Sequence, residues 1–270
     1  MGELARQGIP QRTAVISLAK GLIPPNGTGP ITALEREFGV EAVACVGGPA
    51  HAREMVENGA GLVAASRSAD LAERVAGVFR RAGLICEVSH DPVGVELAGC
   101  AKNAAALAAG ATEAQGLNAA GMAAADIFTE VLAMASRRGA EAKTFIGRAG
   151  TGDLVATALA SESRNRAAGE LLAAGVPADQ IPDRLGQACE ALETVPLLAR
   201  AAELAGLQAP IFSALARLID GSLPLDEWVA LVRARQPEGP PRPGRIVVSW
   251  ARLKDRFRPR GASYSGSVAE

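Results

Sequence analysis

The sequence of 270 residues has few of the side chains from which disulfide, metal and nucleic-acid sites are built. It has only two histidines and four cysteines, and aromatic residues make up 3% of the chain. With so few ligands, a zinc site is not expected, and a formal net charge of −1 argues against a nucleic-acid-binding protein. No C-x-x-C spacing is present, so we expect reduced thiols at Cys45, Cys86, Cys100 and Cys189.

The sequence pattern also lacks the segments that direct a protein into or across a membrane. No uninterrupted apolar run reaches about 18 residues, so no membrane span is expected. The chain does not open with a basic region followed by an apolar stretch, as a secretory signal would. We therefore expect a soluble, cytoplasmic protein.

Alanine is abundant, with 56 residues, and because alanine is the best helix former we expect a largely helical body. The first ninety residues nevertheless alternate strand-like and helical stretches. A helix is predicted over Asp70–Ala82. Strands are predicted over Thr13–Ala19, Glu41–Val46, Gly61–Ser66 and Leu84–Val88. Strands joined by helices indicate part of a parallel α/β sheet.

Strand signals nearly vanish after residue 90. A long alanine-rich helix is predicted over Val93–Ala109, closed by Gly110, and a second over Asn118–Arg138, stopped by Gly139. We therefore predict an α/β domain over residues 1–90 and an all-α domain over residues 91–235. Shorter helices of the second domain are predicted, between glycine- and proline-bearing turns, at Leu154–Leu159, Asn165–Ala174, Thr194–Ala205, Ile211–Asp220 and Leu225–Arg233.

Residues 236–270 differ again in composition and form a basic, proline-rich tail. They include the linker-like sequence PEGPPRPG, and residues 235–270 carry eight arginine or lysine residues against three acidic ones. One interpretation is a solvated tail without fixed structure. The other is a short amphipathic helix over Ile246–Phe257 that binds an acidic partner or a membrane surface.

None of the glycine clusters has the G-x-G-x-x-G spacing of a dinucleotide-binding loop. Gly147–Gly152 (GRAGTG) has its glycines in reversed order and lies between predicted helices. Gly27–Pro30 (GTGP) lacks the third glycine, and its proline removes a backbone amide. Spacing alone therefore does not place a cofactor phosphate.

Lys102 lies within the long alanine-rich helix. It adjoins a polar, glycine-lined face formed by Glu96, Gly99, Asn103 and Gly110, and its neighbours four residues away are alanines. A lysine among small apolar neighbours is partly desolvated, which lowers its pKa towards the acid–base range. The alternative, which periodicity alone favours, is a lysine that extends to solvent.

The stretch Gly150–Arg166 collects polar residues around two predicted helix starts. Asp153 follows a pair of glycines and is predicted to cap the helix that begins at Leu154. At the second start, backbone amides and a forked guanidinium would suit a phosphate. Ordinary helix capping with surface arginines is the alternative. The donors of this second start come from Ser163, Arg164, Asn165 and Arg166.

Taken in order, five motifs resemble those of the bacterial NAD(P)-dependent glycerol-3-phosphate dehydrogenase family. Each is short, but their order and spacing together are specific, and the resemblance covers roughly residues 10–235. The motifs are Ser17–Leu22 (SLAKGL), Gly47–Pro49 (GGP), Gly94–Asn103 (GVELAGCAKN), Thr144–Asp153 (TFIGRAGTGD) and Ser163–Arg166 (SRNR). The resemblance implies a partial Rossmann sheet over residues 1–90, followed by an all-α domain like the C-terminal domain of 6-phosphogluconate dehydrogenase.

The same resemblance implies an activity and a set of site residues. The protein would use NAD or NADP to interconvert dihydroxyacetone phosphate and sn-glycerol 3-phosphate, which supplies glycerophospholipid synthesis. Lys102 corresponds to the catalytic lysine, which gives a proton to the ketone oxygen as the hydride arrives. The substrate-binding residues that it implies are Lys20, Gly48, Lys102, Asn103, Asp153, Ser163, Arg164 and Asn165. The cofactor-binding residues that it implies are Lys20, Ala52, Arg164, Ala188 and Glu190.

The chain departs from the family pattern at two places. Ala50 stands where the family has serine or threonine, which removes one hydroxyl contact to the substrate, typically worth about 1 kcal/mol. The strand–G-x-G-x-x-G–helix unit that opens the family's Rossmann domain has no counterpart here. We therefore expect two or three further βαβ units, with the pyrophosphate loop and the ribose contact, upstream of this chain. The choice between NAD and NADP is not predicted.

Two other functions are compatible with these residues. The first is a non-catalytic helical module for dimerisation or binding, which would fold without binding a nicotinamide cofactor. The dehydrogenase itself is also compatible with a homodimer. A related two-domain dehydrogenase with another substrate would also carry a lysine and an asparagine on the helix of Lys102. The phosphate site predicted at Arg164 favours a phosphorylated substrate over a simple hydroxy acid.

Overall fold

The computed structural model describes residue 10, residues 13–160 and residues 162–234, so the predicted tail lies outside the described residues. In chain order, the first part contains β1 (Val15–Ser17), α1 (Pro30–Phe38), β2 (Val43–Gly47), α2 (Ala52–Asn58), β3 (Gly61–Ala65), α3 (Ala69–Arg81) and β4 (Ile85–Ser89). A 3₁₀ turn lies between α1 and β2, at Val40–Ala42.

The remainder is helical. It contains α4 (Pro92–Thr112), α5 (Leu117–Arg137), α6 (Ala142–Ile146), a π-helical turn (Arg148–Gly152), α7 (Asp153–Leu159), α8 (Arg164–Ala173), α9 (Ile181–Leu185), α10 (Glu190–Leu204), α11 (Pro210–Ile219) and α12 (Leu225–Ala234). Two further 3₁₀ turns lie at Glu113–Gln115 and Ala178–Gln180. The predicted α/β sheet and helical remainder are confirmed, although α1, α2, α6 and α9 were not predicted.

The four strands form one sheet in the order β1-β2-β3-β4. The outer pairs are parallel, with Ile16 opposite Ala44 and Val63 opposite Glu87. The middle pair, β2 and β3, is antiparallel, so the expectation of a parallel sheet is wrong for this pair. The physical reason is the connection formed by residues 48–60, which turns back at the end of the sheet where β2 stops instead of crossing to the other end.

The two faces of the sheet pack against different helices, because successive side chains of a strand point to opposite sides. On one face, the side chains of Ala44, Val46 and Leu62 pack with Leu71 and Val75 of α3. On the other face, strand residues belong to a larger core shared with α1 and α4, and the strand residues in it include Val43, Cys45, Val63 and Ala65. The sheet is thus covered by α3 on one side and joined to the helical part on the other.

Helix α4 is the central element of the molecule, and every residue in it except Ala109 is buried. The prediction that Gly110 closes this helix is wrong, since the helix continues to Thr112. A Cβ atom at Gly110 would overlap the carbonyl oxygen of Arg166, and one at Gly169 would overlap that of Leu107. The glycines therefore let the backbones of α4 and α8 approach closely.

Helix α5 is the one described helix that is long and apolar enough to cross a membrane by length and composition. Its apolar side chains Ile127, Val131 and Met134 are buried in the core, as expected for an internal helix of a globular unit. The described residues form one compact unit by their contacts, and the domain boundary between residues 90 and 91 stays a prediction.

Candidate active site

Two lysines and one aspartate meet beside the centre of α4. Lys20 lies in the loop after β1, Lys102 lies in the middle of α4, and Asp153 is the first residue of α7. Asp153 Oδ2 accepts a hydrogen bond from Lys20 Nζ at 2.6 Å, and Asp153 Oδ1 lies 3.6 Å from Lys102 Nζ. A carboxylate with no solvent exposure thus bridges two ammonium groups.

The fold gives Asp153 a role that differs from the predicted one. Its side chain makes no capping hydrogen bond to α7, so the capping prediction is wrong. The π-helical turn that precedes it leads directly into α7 and aims the carboxylate at α4 instead. Among the described residues, Asp153 Oδ1 is a buried atom without a hydrogen-bond partner, and such an atom is costly unless a charge stabilises it.

Lys102 is buried, with 8% of its surface exposed, so the alternative of a lysine extended to solvent is wrong. Burial lowers the pKa of its ammonium group below the ordinary value, and the charge of Lys20 adds to this, while Asp153 and Glu190 oppose it. Lys102 Nζ also donates to Thr157 Oγ1 at 3.1 Å. The ammonium group is therefore fixed in position and partly desolvated.

Thr157 was not identified from the sequence, although a signal for it existed. It lies four residues after Asp153 in α7, so both side chains share the face of the helix that is turned towards α4. Both residues are buried, with 0% exposure for Asp153 and 4% for Thr157. Once a functional aspartate is placed at a helix start, the polar residue one turn later is a natural second partner.

Next to this cluster, side-chain amides form a chain of hydrogen bonds that includes the backbone oxygen of Lys20. Asn103 Nδ2 donates to Glu190 Oε2 at 2.8 Å and to the backbone oxygen of Lys20 at 3.3 Å. Asn165 Nδ2 donates to Asn103 Oδ1 at 3.0 Å, and Asn165 Oδ1 accepts from the amide of Ala191 at 3.2 Å. The network ties α4, α8, α10 and the loop of Lys20 together through fixed amide orientations.

Arg164 lies at the start of α8 on the exposed side of this network. Its Nη1 donates to the backbone oxygen of Ala188 at 3.5 Å. Ser163 occupies the cap position of α8, and its hydroxyl accepts from the amide of Arg166 at 3.4 Å. An exposed guanidinium and a helix start therefore lie next to Asn165, as a phosphate site requires.

The predicted glycine–proline loop contributes a backbone contact. The carbonyl oxygen of Gly48 accepts from Lys20 Nζ at 3.2 Å. Gly48 has a φ of 104°, and a Cβ atom there would lie 2.6 Å from the carbonyl oxygen of Gly61, so both the conformation and the packing require glycine. Ala52 begins α2 at an exposed position after this loop.

The structure thus brings most of the residues implied by the resemblance into one region. Side-chain contacts form two groups of three residues, one of Lys20, Lys102 and Asp153 and the other of Asn103, Asn165 and Glu190. The hydrogen bond from Asn103 Nδ2 to the backbone oxygen of Lys20 links the two groups. Arg164 and Ala188 contact each other at its exposed rim, and Gly48 joins through its carbonyl oxygen. Ser163 caps the helix that carries Arg164 and Asn165, whereas none of the described hydrogen bonds or ion pairs joins Ala52 to these residues.

Comparisons with known proteins identify the family of the chain. Residues 91–230 match the family model for the C-terminal part of NAD-dependent glycerol-3-phosphate dehydrogenase. A glycerol-3-phosphate dehydrogenase [NAD(P)+] of Deinococcus radiodurans is 36% identical over 240 residues, which is 86% of this chain and 70% of that protein. One of Polaromonas naphthalenivorans is 37% identical over 194 residues, which is 71% of this chain and 55% of that protein.

A solved structure shows the same arrangement of the backbone. The crystal structure of glycerol-3-phosphate dehydrogenase from Coxiella burnetii has a TM-score of 0.78 and 26% identity, and the match covers 86% of this chain and 73% of that one. The chain therefore spans between about half and three quarters of the length of these relatives. By sequence and by fold, the chain belongs to the NAD(P)-dependent glycerol-3-phosphate dehydrogenase family.

Proposed function

We propose that this chain carries the site that reduces dihydroxyacetone phosphate to sn-glycerol 3-phosphate with NADH or NADPH, and that it catalyses the reverse reaction. Supplying glycerophospholipid synthesis is part of the same proposal. The observation that carries it is the buried ammonium group of Lys102, held between Thr157 and the carboxylate of Asp153. A ketone reduction needs one proton at the oxygen and one hydride at the carbon, and Lys102 is the proton donor.

Lys102 suits this role because burial and the neighbouring carboxylate act on its pKa in opposite directions. Burial favours the neutral amine, and the Asp153 carboxylate favours the ammonium. In the reduction, the ammonium gives a proton to the oxygen that becomes the hydroxyl group. In the oxidation, the neutral amine takes that proton back.

Lys20 and Arg164 supply the remaining positive charge. Lys20, Lys102 and Asp153 together carry a net charge of +1, which stabilises negative charge that develops on the carbonyl oxygen. In this proposal, Arg164, Asn165 and the amides at the start of α8 bind the phosphate group. A phosphorylated ketone is therefore expected to bind better than a simple one.

The residues at the rim fit the nicotinamide cofactor in part. NADH or NADPH, when bound, supplies the hydride. The guanidinium of Arg164 suits an anionic group, and the carboxylate of Glu190 suits the N–H of an amide group; both residues are exposed. Lys20 and Ala52 are the other proposed contacts, and the described residues contain no G-x-G-x-x-G loop for the pyrophosphate.

The test is oxidation of NADH and of NADPH in the presence of dihydroxyacetone phosphate, with this chain and with Lys102→Ala. Turnover that the variant loses would support the proposal, and unphosphorylated dihydroxyacetone should be a much poorer substrate. A second readout does not need the cofactor: ¹³C-labelled glycerol 3-phosphate should bind the chain, and Arg164→Ala should weaken that binding. A folded chain with neither turnover nor binding would overturn the proposal.

A non-catalytic helical module is the competing function, and it predicts neither turnover nor binding of glycerol 3-phosphate. It does not explain why an aspartate is buried between two lysines, an arrangement that contributes little to stability by itself.

We further propose that the protein acts in the cytoplasm, does not bind nucleic acid and forms a homodimer. Its four buried, unpaired cysteines fit a reducing compartment, and exposed Val155 and Leu159, one turn apart on α7, offer an apolar contact for a second copy. Sedimentation velocity tests the dimer.

A further inference from the structure

Asp91 uses both oxygens of a buried carboxylate to join two segments of the chain. Oδ1 accepts from the amide of Gly94 at 2.7 Å and so caps the start of α4. Oδ2 accepts from the amide of Glu141 at 2.8 Å and from the hydroxyl of Thr144 at 2.7 Å. The residue is 5% exposed, so these bonds form away from water, where a lost partner is costly.

The segment that contains Glu141 and Thr144 leads directly to Asp153. Glu141 and Thr144 lie at the start of α6, which is followed by the π-helical turn and then by Asp153. The hydroxyl of Thr151 donates to the backbone oxygen of Phe145 at 3.0 Å. A Cβ atom at Gly150 would overlap that same oxygen. The path from the Asp91 contacts to Asp153 is therefore short and tightly packed.

The outer side of this segment is also fixed. Arg148 Nη1 lies 2.9 Å from Glu87 Oε1 on β4, and the side chain of Arg148 crosses over Gly61 of β3. This contact is partly exposed, with 41% and 53% of the two side chains accessible, so it contributes less than the buried bonds of Asp91. The buried carboxylate is thus the stronger of the two anchors.

Helix α4 is the common frame of these contacts. Asp91 stands at its start, and Lys102 projects from its middle. Asp91 therefore holds α6 against the same helix that carries Lys102. Small displacements matter, since Asp153 Oδ1 has no other partner among the described residues and no solvent contact.

We propose that Asp91 is a positioning residue: it fixes the segment 141–152 on α4 so that the Asp153 carboxylate stands between Lys20 and Lys102. The geometric part of this inference is independent of the reaction. Its catalytic consequence rests on the proposed function.

The experiment follows the protonation of Lys102 directly by NMR. The chain has only four lysines, Lys20, Lys102, Lys143 and Lys254, so the ¹³Cε signals of selectively labelled lysine are few and are assigned with single Lys→Arg variants. In Asp91→Asn, Asp153 withdraws from Lys102, and the measured pKa of Lys102 should fall further below its value in the unmodified chain. Thr144→Val should act in the same direction without changing any charge, and Thr144→Ser should restore the original titration.

Glu130→Gln is the matched control. Glu130 is likewise a buried carboxylate, and it accepts hydrogen bonds from the backbone amides of Ile211 and Phe212 at the start of α11. These partners lie far along the chain from residues 141–153. It should lower stability and leave the Lys102 titration unchanged. If Asp91→Asn and Thr144→Val lower stability in the same way but leave Lys102 unchanged, Asp91 is a purely structural residue and the proposal is wrong.

Kinetics separate this inference from the proposed function. With an active chain, Asp91→Asn and Thr144→Val should lower kcat roughly tenfold or more, while KM for dihydroxyacetone phosphate changes little, since a displacement of about 1 Å in a site is enough for such a loss. If the unmodified chain shows neither turnover nor binding of glycerol 3-phosphate and the Lys102 titration still shifts, the positioning role stands and the proposed function does not. If Asp91→Asn does not fold, Thr144→Val decides by the same titration.

Discussion

Asp153 Oδ1 lies 3.6 Å from Lys102 Nζ in a place that solvent does not reach. The aspartate also holds Lys20 through its other oxygen, at 2.6 Å. One carboxylate therefore contacts two cations at once, and it raises the pKa of Lys102 against the effect of burial. This coupling makes the chemistry of the site testable by substitution and by pH.

Replacement of Lys102 by methionine should abolish most of the activity. The variant keeps the length of the side chain and removes the proton donor, and a general acid contributes typically about 10²–10⁴-fold in rate. Steady-state oxidation of NADH or NADPH with dihydroxyacetone phosphate measures the loss. The matched control is Lys143→Met, because the Lys143 side chain is 80% exposed and pairs only with Glu141 among the described ion pairs. Equal activity of the two variants would contradict the assignment.

The two directions of the reaction should respond to pH with opposite signs. Reduction needs the ammonium form of Lys102, so its rate should fall as pH rises through the pKa of Lys102, while oxidation should become faster. Since burial lowers that pKa, the transition should occur below the range of an ordinary lysine. In Asp153→Asn the transition should move to lower pH still, because the carboxylate that raises the pKa of Lys102 is gone. A shift to higher pH would show that Asp153 does not act on Lys102 in this way.

Glu96 should make the stability of the protein depend on pH. Burial raises the pKa of this carboxyl group to about 7, against the hydrogen bond from the amide of Ile31 and the charge of Arg138. The folded state then retains a proton that the unfolded state has already lost, so the free energy of unfolding should fall as pH rises from about 4.5 to about 7. For one group, the free energy of unfolding can change by at most about 1.4 kcal/mol per pH unit.

Urea unfolding of Glu96→Gln at pH 5 and at pH 8 measures this effect. The amide does not ionise, so the variant should gain stability relative to the unmodified chain as pH rises. Glu54→Gln is the control, because the Glu54 side chain is 65% exposed, and it should leave the pH dependence as it is. A Glu96→Gln curve parallel to that of the unmodified chain would contradict the raised pKa.

Two glycine-to-alanine variants should change stability in opposite directions. A Cβ atom at Gly110 would overlap the backbone of α8, so Gly110→Ala should destabilise the protein by about 1–3 kcal/mol or more. Gly121 lies in α5 with open space around it, so Gly121→Ala should stabilise it by roughly 0.5–1 kcal/mol. Thermal unfolding of both variants gives the comparison, and a neutral Gly110→Ala would show that α4 and α8 can separate at little cost.

Much of the local structure was predictable because it depends on nearby residues. The strands near residues 15, 43, 61 and 85 and the helices after residue 90 follow from the periodicity of apolar side chains. The expectation that a glycine ends a helix failed at Gly110, because close packing against a distant helix, and not the local turn chemistry, requires a glycine there. The capping rule failed at Asp153 for a similar reason, since two lysines far away in the sequence attract the carboxylate more strongly than the local amides.

The sequence by itself determined the helical character after residue 90, the four strands and, through five ordered motifs, the family. It did not determine whether Lys102 is buried, because helical periodicity places a residue on a face without saying what covers that face. Only the tertiary structure placed Asp153 between two lysines, added Thr157 to Lys102 and linked Asp91 to the segment that carries Asp153. These contacts join residues that are tens of positions apart in the chain, and their electrostatics depend on the exclusion of water by the packed core, which no local pattern records.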